Sequence, residues 1–171
     1  MLFSLEEPTT QTTPVEINFN PSLPVDDQQV TVCGFGGIDE NSTEDSWDLL
    51  YTEIKVMNQD VCMIRLDEED IWQILDNGSQ ICATTDEGGK DTCKGDSGGP
   101  MYDAVNNPNL QFGIVSYGSS QCGLANVPGV YVRTSAYADW IKNGICRLSA
   151  EPPDYCECSS RSSSALFFGK C

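Results

Sequence analysis

An antiparallel all-β fold, either a barrel or a sandwich, is the fold class that the sequence predicts. Short runs of strand-forming residues recur between Gly- and Asp-rich connections, and no long helical period interrupts them. The predicted strands are residues 29–33, 51–56, 112–117 and 129–132. Hydrophobic residues make up 39% of the 171-residue chain, which is typical of a globular domain with a core.

Two helices complete the predicted secondary structure. In residues 135–142, Ser135 is a suitable N-cap, and Tyr137, Trp140 and Ile141 fall on one helical face. Residues 60–75 are predicted to hold a further short helix. Residues 8–27 are rich in Pro, Thr, Asn and Asp, which favours an extended connector, and the chain after residue 146 is a Ser-, Pro- and Cys-rich tail.

The charge balance is strongly acidic, with 26 Asp and Glu against 9 Lys and Arg and a net charge of −17. This argues against a nucleic-acid partner, because phosphates require a basic surface. A negative field can attract basic peptides, or it can simply keep a secreted protein soluble. No run of apolar residues approaches membrane-spanning length, so no membrane partner is expected.

Nine cysteines indicate an oxidising compartment. Zinc is the competing explanation, but the only close pair is Cys156 and Cys158, and the chain has no histidine. Disulfides are therefore favoured, and no metal or cofactor is expected. Residues 1–5 are too short for the apolar segment of a signal peptide. We therefore predict a secreted protein whose true N-terminus lies upstream of Met1.

The segment 95–100, Gly-Asp-Ser-Gly-Gly-Pro, is the strongest chemical signal in the chain. A serine hydroxyl needs a base to remove its proton and donors to stabilise the oxyanion that it creates. Small residues around Ser97 allow a sharp turn that presents the backbone N–H groups of Gly95 and Ser97. The usual base for such a serine, a histidine, is missing from these 171 residues.

The longer segment 91–100, Asp-Thr-Cys-Lys-Gly-Asp-Ser-Gly-Gly-Pro, resembles the nucleophile segment of the trypsin-like (chymotrypsin-fold, S1 family) serine proteases. Four further segments match that family in order and spacing: 34–36, 113–118, 128–131 and 139–141. The resemblance runs from Leu2 to Cys146 and covers only the second half of a family domain. It implies a second, six-stranded antiparallel β-barrel with a C-terminal α-helix over 29–146. Residues 1–28 would then be the end of the first barrel and the connector, and residues 147–171 the tail.

The resemblance also implies the roles of the residues around the serine. Ser97 is the expected nucleophile, and the amides of Gly95 and Ser97 form the oxyanion hole. Asp91 is expected at the floor of the primary specificity slot, where a buried carboxylate favours Arg or Lys.

The remaining expected substrate-binding residues form the slot and its rim. Gly118 and Gly129 match the slot walls, where missing side chains leave room for a long residue. Ser116, Tyr117 and Gly118 are expected to pair with substrate backbone as an added β-strand. Thr92 is expected to contact substrate as well.

Asp96 is assigned a structural role, because in the family this acid pairs with the N-terminal amine that activation cleavage creates. The resemblance also implies two disulfides, Cys62–Cys82 and Cys93–Cys122. Cys33 has no evident partner and is expected to be a buried thiol. Cys146 can pair with Cys156 or Cys158, and the sequence does not decide between them.

The family's histidine and first aspartate would lie before Met1, so this chain is expected to be an inactive fragment when alone. The function predicted for the whole protein is a secreted serine endopeptidase that cleaves after Arg or Lys. Its partners would be such peptide or protein substrates and the missing N-terminal barrel of the same protein. One alternative is a pseudoprotease that binds basic peptides or a partner protein without catalysis. The other is an acidic, disulfide-rich protein that shares only the scaffold.

Overall fold

Six antiparallel strands close into a barrel in the computed structural model, which describes residues 2–7, 9, 11–39, 41–42, 44–71, 78–103 and 105–156. The strands are β1 (Glu16–Ile17), β2 (Gln29–Gly34), β3 (Leu50–Met57), β4 (Gln80–Thr84), β5 (Pro100–Tyr102), β6 (Leu110–Tyr117) and β7 (Gly129–Arg133). The ring runs β2-β3-β4-β7-β6-β5 and returns to β2, with every neighbouring pair antiparallel. β1 lies outside the ring and pairs in parallel with β6. The predicted fold class is confirmed, as a barrel rather than a sandwich.

The barrel interior is filled by alternate residues of its strands. In β3, Ile54 and Val56 are buried while Glu53 and Lys55 are exposed, which is the period of a strand with one face on a core. The buried cluster comprises Val30, Val32, Ile54, Val56, Ile81, Ala83, Met101, Phe112, Val115 and Tyr131. Tyr131 and Phe112 are the largest of these side chains and are completely buried.

Helix α1 (Gln59–Glu68) is shorter than the predicted 60–75, of which residues 72–75 lie outside the described part. Asn58 caps its start, since the Asn58 side chain accepts hydrogen bonds from the N–H groups of Asp60 and Val61. The buried Cys62 lies four residues before the buried Leu66 and forms the expected disulfide with Cys82 of β4. This bond fastens α1 to the barrel.

Helix α2 (Ala138–Leu148) begins three residues after the predicted start at Ser135. A 3₁₀ turn, Thr134–Tyr137, comes first, and Tyr137 occupies the N-cap position without a side-chain hydrogen bond. Ser135 therefore does not cap the helix, and its buried hydroxyl has no hydrogen-bond partner among the described residues. A short 3₁₀ helix, Asp154–Cys156, follows α2.

The chain divides into two compact units. Residues 14–136 contain all seven strands and α1. In the other unit, the described residues of 1–13 and 137–171, the side chain of Leu2 contacts Gly144, and a disulfide joins Cys146 to Cys156. That bond decides between the two pairings that the sequence left open. The domain boundaries expected at 28 and 146 stay a prediction.

No helix in the described ranges combines the length and the apolar character needed to cross a membrane.

Candidate active site

Ser97 lies on an exposed turn that connects the segment after Asp91 to β5. Gly95 and Gly98 on its two sides have φ values of +97° and +88°. L-residues with a side chain rarely adopt this left-handed region, so glycine is needed at both positions. The sharp turn that the motif predicts is therefore present.

The backbone N–H groups of this turn fall into two classes. Those of Asp96, Gly98 and Gly99 donate to the carbonyl oxygens of other residues, at 3.1, 3.0 and 2.9 Å. Those of Gly95 and Ser97 have no acceptor among the described residues. Two unpaired donors beside an exposed hydroxyl are the arrangement that could bind an oxyanion.

The orientation of the Gly95 amide is fixed by a neighbouring loop. The N–H of Gly37 donates to the carbonyl oxygen of Lys94 at 2.8 Å. Because the C=O and N–H of a trans peptide point in opposite directions, this bond directs the Gly95 N–H away from Gly37. The donor is thus held in place before any ligand arrives.

A slot of about 240 Å³ opens beside the serine. Its wall includes every residue that the sequence assigned to substrate binding, together with the serine itself. The lining residues are Asp91, Thr92, Cys93, Lys94, Ser97, Val115, Ser116, Tyr117, Gly118, Ser119, Cys122 and Gly129. The structure therefore brings these predicted residues together around one cavity.

The Asp91 carboxylate in this slot is partly withdrawn from water. Burial raises its pKa above the ordinary 3.8, and the negative charge of Asp96 raises it further. Hydrogen bonds from the N–H groups of Gly123 (3.2 Å) and Thr92 (2.7 Å) act in the opposite direction. A cationic side chain entering the slot would supply the counter-charge that Asp91 lacks.

The slot walls are open because two of their residues are glycines. A Cβ at Gly129 would lie 2.9 Å from a carboxylate oxygen of Asp91 and 3.1 Å from the hydroxyl oxygen of Tyr131. A Cβ at Gly118 would lie 3.5 Å from the Cα of Gly129, which is ordinary van der Waals contact. A side chain at Gly129 would therefore press on Asp91 and Tyr131, whereas one at Gly118 would meet only the backbone of Pro128 and Gly129.

Tyr131 lies beside the site, although the sequence indicated only that it belongs to a strand. Its buried hydroxyl lies 3.2 Å from the hydroxyl of Thr92. Burial raises the pKa of Tyr131, and the nearby Asp91 charge adds to this. The alternation of β7 places Tyr131 two residues after Gly129 on the same face, which is the signal that could have revealed it.

The rim of the slot is formed by the end of β6 and by the second expected disulfide. β5 pairs with β6 only as far as Ile114, and Ser116 and Gly118 continue beyond it along the rim. Cys93 and Cys122 are joined with a Cα–Cα distance of 5.5 Å, which ties the serine segment to the opposite wall.

Asp96 points away from the slot into a second cavity of about 330 Å³. Its two oxygens accept hydrogen bonds from the N–H groups of Gly36 and Cys93, both at 2.8 Å. Cys33 lines the same cavity as a half-buried thiol rather than a fully buried one, and it forms no disulfide among the described residues. Burial raises the pKa of that thiol, and the charge of Asp96 adds to the shift.

A general base for Ser97 is not found in the part of the chain that the structure describes. The Ser97 hydroxyl has no hydrogen-bond partner there, and the full sequence has no histidine. The described residues also contain no group of three or more metal-binding side chains placed to hold an ion. The described residues therefore provide two backbone donors without acceptors and a slot, but no proton acceptor beside Ser97.

Comparison with known proteins identifies the class to which this turn and slot belong. The Trypsin family model matches residues 1–141. A venom plasminogen activator, Haly-PA, from Gloydius brevicauda is 34% identical over 152 residues, which is 88% of this chain and 55% of that protein. Submandibular glandular kallikrein-3 from Rattus norvegicus is 36% identical over 147 residues, covering 83% of this chain and 71% of the relative.

A solved structure agrees with these relatives. Neuropsin, a serine protease expressed in the limbic system of mouse brain, superposes with a TM-score of 0.67 at 28% identity and covers 81% of this chain and 56% of its own. The chain belongs to the trypsin-like serine protease family. It spans a little over half the length of several curated relatives that it matches.

Proposed function

We propose that this chain contributes the nucleophile, the oxyanion donors and the specificity slot of a serine endopeptidase that cleaves after Arg or Lys. One observation supports the proposal most directly. The exposed Ser97 belongs to a turn in which its own N–H and that of Gly95 have no acceptor among the described residues, and it lines a slot whose wall includes Asp91.

The proposed reaction is acyl transfer through a covalent serine ester. The Ser97 Oγ attacks the peptide carbonyl, and the oxyanion that forms accepts hydrogen bonds from the N–H groups of Gly95 and Ser97. One of these donors, the Gly95 N–H, is already oriented by the hydrogen bond between Gly37 and Lys94. The Ser97 proton must pass to a base and then to the leaving amine, and this base would come from outside these 171 residues.

Arg or Lys specificity follows from the chemistry of the slot. A cation can form a charge-assisted hydrogen bond with Asp91 and offset the cost of burying that carboxylate. Glycines at 118 and 129 leave the length of the slot open to an extended side chain. Substrate backbone would add as a strand along Ser116, Tyr117 and Gly118.

Asp96 and the second cavity support a separate, activation-linked role. Asp96 is held by two backbone amides and borders about 330 Å³ of open space. A chain-terminal amine entering that space could pair with the Asp96 carboxylate. We propose that such pairing stabilises the serine turn in the whole protein.

The whole protein is the sample that tests this function. The DNA immediately upstream of the Met1 codon is translated first, and we expect an in-frame segment that supplies the histidine and the aspartate. The protein expressed with that segment should hydrolyse Arg and Lys peptide amides, and Ser97→Ala should abolish turnover. The 171-residue chain should show none, because loss of the histidine base in a serine protease costs on the order of a million-fold in turnover.

Two results would contradict the endopeptidase proposal. One is an in-frame stop codon directly before Met1. The other is turnover by the longer protein that survives Ser97→Ala.

A second candidate is a pseudoprotease that binds basic peptides or a partner protein through the same slot. The absence of histidine from the chain is the observation that favours it. Fluorophosphonate labelling of Ser97 in the longer protein distinguishes the two, since labelling requires an activated serine. Binding of Arg peptides without labelling would select the pseudoprotease.

Extracellular location is part of the proposal. Three disulfides in the described residues are typical of proteins that fold in an oxidising compartment.

A further inference from the structure

The loop between β2 and β3 places a carboxylate against the serine turn. An oxygen of Asp45 lies 2.6 Å from the position that a Cβ on Gly95 would occupy, and the Cα of Gly36 lies 2.9 Å from that position. Gly95 is therefore covered on this face by Asp45 and by the loop's own backbone. A residue 50 positions earlier in the sequence is in contact with a proposed oxyanion donor.

The position of Asp45 is set by its neighbour in the chain. The N–H of Ser46 donates to the carbonyl oxygen of Phe35 at 2.7 Å, and the Ser46 hydroxyl donates to the carbonyl oxygen of Asp48 at 2.8 Å. These bonds fix the backbone next to Asp45 and so keep this residue beside Gly95.

The charge of Asp45 is not neutralised within the described residues. Asp45 is exposed and forms no ion pair or hydrogen bond there. Lys94, the basic residue next to Gly95 in sequence, lines the slot instead. Residues 38–49 contain five acidic residues and no Lys or Arg, so the sequence of the loop supplies no internal counter-ion.

Asp45 is also separate from the slot, since it is not among the residues that line it. If the slot holds the side chain before the cleaved bond and the Gly95 N–H binds the carbonyl oxygen of that bond, the residues after the bond begin beside Gly95, which Asp45 contacts. A chain advances at most about 3.5 Å per residue, and an Arg or Lys side chain extends further than that. The first two residues of the leaving group are therefore within reach of Asp45.

We propose that Asp45 is a specificity-determining residue that selects Arg or Lys within the first two positions after the cleaved bond. This proposal rests on the proposed function, because it requires the slot to bind the acyl half of a peptide. The ligand class is a peptide with one basic residue in the slot and a second shortly after it. An exposed carboxylate in water should favour such a peptide roughly two- to fivefold.

Binding of uncleaved peptides to the 171-residue chain tests the proposal, since that chain is expected to have no turnover. Two fluorescein-labelled peptides carry Arg as the slot residue. They differ two positions later, where one has Arg and the other has citrulline, its neutral isostere. Dissociation constants are measured by fluorescence anisotropy at low salt for the wild type and for Asp45→Asn, Asp48→Asn and Asp91→Asn.

We expect the wild type to favour the Arg peptide over the citrulline peptide, and Asp45→Asn to lower that ratio by roughly two- to fivefold. Asp48→Asn removes the same charge from the same loop and should leave the ratio unchanged. A second Arg that enters the slot itself raises the ratio equally in the wild type and in Asp45→Asn, so that effect cancels in the comparison.

The outcomes distinguish a failure of the Asp45 proposal from a failure of the slot assignment on which it rests. Asp91→Asn should weaken both peptides by the same factor, and if it changes neither, or if neither peptide binds, the slot assignment and the Asp45 proposal both fail. If Asp91→Asn acts as expected but Asp45→Asn leaves the ratio unchanged, the Asp45 proposal alone is wrong. An equal effect of Asp48→Asn would assign the selectivity to the charge of the loop rather than to Asp45, and would also overturn it.

Discussion

The slot and the second cavity share Asp91, Thr92 and the Cys93–Cys122 disulfide in their walls, but the carboxylates of Asp91 and Asp96 are held differently. In the slot, Asp91 accepts hydrogen bonds from the amides of its neighbour Thr92 and of Gly123, and burial raises its pKa. In the second cavity, Asp96 bonds the amide of Gly36, which belongs to the loop after β2. Asp91 therefore lines the slot that is proposed to receive a charged ligand, whereas Asp96 joins the serine turn to the loop after β2.

This comparison predicts that Asp96→Ala lowers the stability of the protein more than a substitution of Asp91 does. It leaves the N–H groups of Gly36 and Cys93 without their acceptor and empties the space that the carboxylate fills against Gly34. Unpaired amides cost about 1–3 kcal/mol each, so the free energy of unfolding should fall by about 3 kcal/mol. Urea denaturation followed by circular dichroism measures it. Asp48→Ala, at an exposed position, is the control, and an equal loss there would mean that Asp96 contributes no more to stability than a surface carboxylate.

Asp91→Asn should instead change ligand binding. Losing a charge-assisted hydrogen bond should weaken the affinity for an Arg peptide by roughly tenfold to a hundredfold. Only the ionised carboxylate attracts the cation, and burial raises the pKa of Asp91 above 3.8. Wild-type affinity should therefore fall as the pH is lowered through that raised value, while the affinity of Asp91→Asn stays flat.

Anisotropy titrations across pH provide this measurement. The same pH dependence in both proteins would mean that another group governs binding, and the slot carboxylate would lose its assigned role.

A smaller and more local effect is expected from adding one methyl group to either slot wall. Gly129→Ala places its Cβ 2.9 Å from Asp91, so the carboxylate must move, and stability should fall by about 1 kcal/mol. Gly118→Ala meets only ordinary contacts and should keep the stability of the wild type. Both should weaken Arg-peptide binding because both narrow the slot. Thermal unfolding together with peptide titration checks this, and unaltered binding in both variants would place the ligand elsewhere.

Patterns of alternation were sufficient to predict most of the barrel, but not all of it. β2, β3, β6 and β7 were predicted within two residues at each end. β4 was missed because all five of its residues are buried, so it shows no alternation. β5 has only three residues and starts with a proline, which is too little for a pattern.

The start of α2 was misplaced for a different reason. Ser135 has the right chemistry for an N-cap, but the chain completes a 3₁₀ turn before the helix begins. The local sequence does not distinguish a serine that caps an α-helix from a serine inside a 3₁₀ turn that precedes the helix.

The site was predictable where a motif encodes it and not where tertiary contacts create it. The slot residues were assigned because each belongs to a segment with a recognisable pattern; the structure places them around one cavity, and their roles stay predictions. The contact between Asp45 and Gly95 joins residues from two loops, and no spacing rule relates them. The choice of Cys156 over Cys158 as the partner of Cys146 likewise depends on the path of the chain after α2.

The hydrogen bond from Gly37 to Lys94 has a consequence for how this molecule can vary. This bond supports the serine turn from a surface loop, the kind of segment that ordinarily accepts insertions and deletions with little loss of stability. An insertion just after Gly37 would break this hydrogen bond and let the Lys94–Gly95 peptide rotate. A change in this exposed loop would then weaken the hydrogen bond that the Gly95 N–H is proposed to donate to the reacting carbonyl, although Ser97 itself is unchanged.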